Sequence, residues 1–341
     1  MSEARTTDKN LPAEYAAVRD GGVGLIDLSS RGRISVSGSE AVMFLNGLIT
    51  NDLKTLEENR WMPAAFPNVQ GRLLAAVRVI RRRDDILLDT EPATHHKVLK
   101  IVERFTLAGD FKVRDLTSES ALISFQGRGA RELVEKLYGV RDLPHDGVWQ
   151  NERVTIVRAT HTGEDGFDVI GDVTAVAEGA VPVSKEVEEI LRIEAGIARY
   201  GVDMDETNVV TETNLDDAVS YTKGCYLGQE IIVRIKHRGH VAKKLTGLRF
   251  DASQADRQNE SSTAVSSNAD TAVRAGAVIT STDDKEIGRV TSVTFSPSLQ
   301  TTIGLGYVRY EYLTPGTPIR IDKVAGSVQP LPLIRGSWYE G

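Results

Sequence analysis

The pattern of the chain changes near residue 240, and that change restricts the fold more than any other feature. Before it, short strand-like runs and amphipathic helical stretches follow one another without the regular strand–helix–strand period of a doubly wound sheet, which points to an α+β class. From about Lys243 onward, Gly/Thr/Val-rich hairpin segments follow one another, the pattern of a small antiparallel barrel. A length of 341 residues allows two or three domains. We divide the chain into residues 1–240 and 241–341. Residues 251–270, rich in Ser, Asn, Asp and Ala, read as a flexible insertion because strand-like sequence lies on both sides.

Within the first part, Leu11–Arg19 reads as a short helix broken by Gly21, Gly22 and Gly24. Gly24–Leu28 and Arg33–Ser37 read as strands, with Ser39 as the N-cap of the helix that follows. Arg72–Ile80 and Ile86–Asp89 form a hairpin whose charged tip holds the run Arg81–Arg83 beside Asp84 and Asp85. Thr94–Leu107, Arg128–Leu137 and Lys185–Arg199 have helical periodicity; Ala121–Phe125 is a strand. Thr155–Ala159 and Phe167–Ile170 are a strand pair around the turn HTGEDG.

Forty-one basic against 48 acidic residues leave a net charge of −7, so any surface for a polyanion must be local. Cys225 is the single cysteine; an intrachain disulfide is excluded, and a reducing, cytoplasmic setting is expected. No apolar run approaches the roughly 20 residues that span a bilayer, so no membrane role is expected. Phosphate-cradling GxxxxGK[ST] and GxGxxG loops and the GxSxG elbow are missing. Cys225, His237 and His240 could in principle form a zinc site, but a solvated basic segment explains them more simply, and no metal is assigned.

Residues 223–249 hold most of the information. Seven Lys/Arg residues (223, 234, 236, 238, 243, 244, 249) face one acid, Glu230, a local charge of +6 that suits either a solvated face or a polyanion-docking surface. Cys225 lies between Gly224 and Tyr226. It reads either as a small buried hydrophobe or as a thiolate stabilised by Lys223 and the cations downstream.

KGCYLGQE (Lys223, Gly224, Cys225, Tyr226, Leu227, Gly228, Gln229, Glu230), continuing to RIKHRG, resembles the signature of the YgfZ-type folate-binding proteins. Other segments resemble the wider aminomethyltransferase, or glycine-cleavage T-protein, superfamily: GVGLIDLSSRGRISVSG, FLNGLITNDL, HTGEDGFDVI, LRIEAGIARYGVDMDET and IGRVTSVTFSPSLQTTIGLGYV. The resemblance implies a ring of lobes around a central channel that binds tetrahydrofolate, followed by the barrel. It implies that Glu164 meets the pterin, whose paired N–H donors suit a carboxylate. It names Arg192 and Tyr200 as further candidates, with Arg192 and Glu194 alternatively an internal ion-pair scaffold. It also implies a short helix after Gly228, although IIVRI alone favours a strand through β-branching.

Departures from the superfamily pattern bear on chemistry. Its acidic pair appears here as Ala75 and Ala76, which cannot accept a proton, so conventional aminomethyl transfer is not expected. Its arginine before the LRLE block appears as Glu188, which would repel a folate carboxylate. Arg31 and Glu188 stand where some YgfZ-type proteins place tryptophans. The expectation is a tetrahydrofolate-binding accessory protein for iron–sulfur enzyme maturation or repair that affects tRNA modification. Cys225 would be its functional thiol and iron–sulfur client or assembly proteins its partners. The alternatives are a folate-dependent aminomethyl or one-carbon transferase, and a tRNA-binding module acting through residues 223–249.

Overall fold

Alternation builds the first sheet: Leu73–Arg81 turns Ala75, Val77 and Val79 to one side, inside a core with Ile34, Leu45, Leu88 and Val98. The computed structural model describes residues 10–104, 106, 109–173, 179–251 and 273–340. In this five-stranded sheet the spatial order is Arg60–Pro67, Leu73–Arg81, Ile86–Thr90, Gly32–Ser37, Lys112–Asp115, all pairs antiparallel. Helices Ala41–Leu48 and His95–Glu103 bury Leu45, Val98 and Val102 in the same core.

A six-stranded sheet forms the second body, ordered Val181–Pro182, Gly24–Asp27, Ala121–Gln126, Gly166–Gly171, Val154–Arg158, Val148–Gln150. Helix Ala130–Tyr138 closes one face through Leu133 and Val134 and ends at Gly139. Ile80 and Leu87 of the first sheet share a core with Ile26, Leu122, Val157 and Ile170 of the second, so the two sheets pack into one unit.

Six antiparallel strands close the C-terminal barrel: Lys243–Phe250, Thr301–Arg309, Glu286–Ser296, Val278–Thr280, Pro318–Ile321 and Val324–Gln329, the last pairing back to the first. Leu248, Ile279, Val290, Ile319 and Val328 fill it. The α+β class and the barrel agree with the sequence reading. The expected insertion, apart from Asp251, lies outside the described residues.

Some local expectations are corrected. Ser39 is not the cap of helix Ala41–Leu48: its N–H and hydroxyl both donate to Asp110, at 2.8 and 2.9 Å, a partner no local pattern shows. The helix expected over 94–107 ends at Glu103. The helix expected over 185–199 ends at Glu194, after which Ile197–Arg199 leave the axis and form part of a cavity wall. IIVRI lies in helix Gln229–Arg238, as the resemblance implied. It buries Ile232 against Leu73 and Tyr200, so tertiary packing overrides β-propensity.

Candidate functional site

A chain of buried charges joins the two sheets. Asp89 and Asp168, both fully buried, come from strands of different sheets. The Arg78 guanidinium stands between them, with one nitrogen 2.5 Å from each carboxylate. Arg31 donates to the other oxygen of Asp89 at 2.8 Å and to Glu91 at 2.6 Å. At the far end, His161 Nε2 lies 3.0 and 3.1 Å from the two oxygens of Asp168. Burial on its own would raise both aspartates, but Arg31 and Arg78 around Asp89, and His161 and Arg78 around Asp168, more than reverse this. Both carboxyls are held below their ordinary value and stay ionised.

The two ends of this chain open onto one cavity of about 220 Å³, walled by Arg31, Glu91, His161, Lys185, Glu188 and Arg199 among others. Pockets for drug-sized ligands run to roughly 300–1,000 Å³, so this one suits a ring system rather than a whole folate. Glu188 does not face it as a lone negative charge, contrary to the expected repulsion: Lys185 and Arg199 donate to its two oxygens at 2.8 and 2.9 Å. Glu91 accepts from Arg31 through one oxygen; among the described residues no donor reaches the other. A larger hollow of about 640 Å³ on the barrel side shares the wall residues Ile197 and Ala198.

The residues singled out from sequence fall in three places. Glu164, in the HTGEDG turn, is 3% exposed and already engaged. Arg19 donates to one of its oxygens at 2.8 Å, and the Ser337 N–H and hydroxyl donate to the other at 2.8 and 2.6 Å. In this conformation Glu164 cannot receive a side-by-side pair of pterin donors; Ser337 would first have to leave. Arg192 touches the cavity wall, but Glu189, Asp203, Ser292 and the Ile197 carbonyl take all five of its N–H donors. Its geometry is that of the scaffold alternative. Glu194 lies in a separate network with Arg19, Tyr15 and Ser296, so the two residues do point different ways. Tyr200 is packed with Ala65, Leu73 and Val210 and donates to the Leu73 carbonyl at 3.2 Å. Burial, with Glu206 and Asp205 adding, pushes its hydroxyl up to about 12.

The signature loop forms a separate region. Lys223 is buried, and its ammonium donates to the carbonyls of Asn46, Ile49 and Asn51 at 2.6–3.0 Å. With three donors spent, it ties the loop to the Ala41–Leu48 helix and is not a free cation for the thiol. Gly228 has φ +76° and would carry any Cβ to 2.2 Å from the Asn68 carbonyl, so glycine is required at the start of the helix. Tyr226 is buried in the cluster against which Ala76 packs, while Ala75 lies in the core of the first sheet. Cys225 is exposed, which rules out the reading of a buried hydrophobe. Gly224 and Glu230 are exposed as well, and Gln229 Nε2 donates to the Lys223 carbonyl at 3.4 Å.

Three of the seven cations are not free surface charges. Lys223 is internal, Arg234 pairs with Glu230, and Lys244 pairs with Asp216. Among the described residues no group of three or more His, Cys, Asp or Glu is placed to hold a metal ion, and no helix is long and apolar enough to cross a membrane.

Sequence reasoning singled out Arg31 and Glu188 but missed Arg78, Asp89, Asp168 and His161. The available signal was a charge in the middle of an otherwise apolar strand, as in ILLDT and GFDVI.

Comparison with known proteins accords with this architecture. The chain is 28% identical to an aminomethyltransferase of Thermotoga neapolitana, over 95% of this chain and 89% of that protein. It is 25% identical to a putative chloroplastic transferase of Arabidopsis thaliana, over 92% of this chain and 72% of that protein. The glycine cleavage system aminomethyltransferase T of Bartonella henselae superposes with a TM-score of 0.82 at 24% identity, covering 95% of this chain and 90% of that one, which shows the fold. Residues 2–223 match the GCVT N-terminal domain and residues 263–339 the glycine cleavage T-protein C-terminal barrel domain, and the chain belongs to that family.

Proposed function

We propose that the protein binds a reduced folate with its ring in the 220 Å³ cavity and acts on a one-carbon or aminomethyl group carried by it. The observation that carries this reading is the mixed-charge wall where the two sheets meet. Glu91 keeps one carboxylate oxygen for a ring N–H, and Arg31, Lys185 and Arg199 offer positive charge to a folate carboxylate. These groups fit the cofactor. When bound, it would supply the carrier nitrogens for the one-carbon unit, while the chain holds and orients the ring. Ala75 and Ala76 speak against the acid-assisted chemistry of the family and do not line this cavity, so a proton-handling group must be sought in the wall itself. Glu164 would join the ligand set only after releasing Ser337.

Titration calorimetry with tetrahydrofolate tests this. Saturable binding is expected, weakened about tenfold by Glu91→Gln, the loss of one charge-assisted hydrogen bond. Absence of heat at high ligand concentration would refute the reading.

A second reading is supported by the exposure of Cys225 on the loop that resembles the YgfZ-type signature. In it the protein assists iron–sulfur enzymes through an accessible thiol. Full restoration of iron–sulfur enzyme activity by Cys225→Ala in a deficient host would exclude it. Because Lys223 is buried and Arg234 and Lys244 are paired with acids, the tRNA-binding reading has less support. It predicts binding that weakens steeply with salt and is lost on neutralising Lys236, Arg238, Lys243 and Lys244.

A further inference from the structure

We propose that His161, backed by Asp168, moves the proton to and from a ligand nitrogen in the cavity, a role that Ala75 and Ala76 cannot fill; this rests on the folate reading above. His161 is part of the cavity wall, and its side chain is 17% exposed. Its Nε2 faces both oxygens of an ionised, fully buried Asp168, so in the neutral ring the proton sits on Nε2 and Nδ1 carries the lone pair. Among the described residues Nδ1 has no hydrogen-bond partner. The residue is also well fixed: its N–H donates to Gln126 Oε1 at 3.0 Å, and Gln126 in turn donates to the Ala159 carbonyl at 3.0 Å.

An acceptor, an orienting carboxylate and an adjoining hollow are the parts of an acid–base dyad. In the step, the Nδ1 lone pair takes a proton from the solvent, and the imidazolium so formed is stabilised by Asp168. The Nδ1–H bond then breaks, its electron pair staying on Nδ1, as a new N–H bond forms on the lone pair of a neutral ligand amine. The reverse step returns the proton. The charged groups of this wall are joined in ion pairs: Arg78 between Asp168 and Asp89, Arg31 with Asp89 and Glu91, Lys185 with Glu188, Arg199 with Glu188 and Glu189, and Arg192 with Glu189 and Asp203.

A purely structural tie between turn and strand would look the same at rest, so the test must follow the proton. His161→Gln keeps a donor for Asp168 but cannot titrate. Tetrahydrofolate is titrated by calorimetry into wild type and H161Q, in phosphate and in Tris, whose ionisation enthalpies differ. The wild-type binding enthalpy is expected to depend on the buffer, and that dependence is expected to vanish in H161Q while binding persists. Nitrogen-15 NMR of the wild-type imidazole is expected to show Nε2 protonated and the Nδ1 resonance shifting as tetrahydrofolate is added. This second measurement needs no variant to fold. Equal buffer dependence in both proteins, or an Nδ1 resonance indifferent to the ligand, overturns the dyad alone. Failure of wild type to bind tetrahydrofolate overturns the dyad and the folate reading together.

Discussion

The junction of the two sheets and the interior of the barrel are both buried, yet they are made of opposite materials. The barrel is filled by Leu248, Ile279, Val290, Ile319 and Val328, which need only shape and the removal of apolar surface from water. The junction places Asp89, Arg78 and Asp168 in line, at a desolvation penalty of several kcal/mol per ion that only close pairing offsets. Apolar residues of similar volume would hold the sheets together at least as well. The charged line ends at both its limits on one cavity, through Arg31 and His161, and none of these five barrel-core residues lines it. The comparison teaches that ionised groups stand where they reach a cavity and are absent from the part of the barrel interior that needs only closure.

The largest effect is expected from removing the middle cation. Arg78→Met leaves Asp89 only Arg31 and Asp168 only His161 as ion-pair partners, removes the cation the two carboxylates share, and is expected to lower the unfolding free energy in urea by about 3–5 kcal/mol. A loss no larger than that of a surface substitution would break the contrast. Acid titration comes next. Because Asp89 and Asp168 lie below the ordinary 3.8 in the folded protein, the unfolded chain binds more protons in the interval between. Their stabilisation is complete above 3.8 and is lost as the pH falls through the lower, folded values. Denaturation midpoints measured from pH 5 downward should therefore drop steeply in wild type and less in R78M. In the barrel, Ile279→Val should cost about 0.5–1.5 kcal/mol, by the same amount at pH 7 and pH 4, since no charge is involved. A pH-dependent loss there would erase the distinction. Smallest of all, Cys225→Ser is expected to leave the thermal midpoint unchanged and abolish labelling by a thiol reagent, because the side chain is exposed.

Local order was legible where local rules apply. Leu11–Arg19 is helical over its predicted span, with Asn10 accepting from the Ala13 N–H at its start. The barrel hairpins follow from their alternation and turns. Ser39 misled because its hydroxyl found Asp110, 71 positions away, before it could cap its own helix. The charged line was hidden for a related reason. Arg78, Asp89 and Asp168 each look like an isolated charge in an apolar strand, and only the packing of one sheet on the other makes them partners. Glu164 and Arg192 could be singled out by resemblance, but that their hydrogen-bonding capacity is taken up within the chain is visible only in three dimensions.

The hold of Ser337 on Glu164 has a consequence for synthesis. The turn and its partner are 173 positions apart, so during translation both sheets can emerge and pair while that carboxylate still waits for its hydroxyl and amide. The ribosome must deliver all six barrel strands, the last ending at Gln329, before the turn can lock. Chains arrested between residues 250 and 336 should therefore carry formed sheets around an unlatched glutamate.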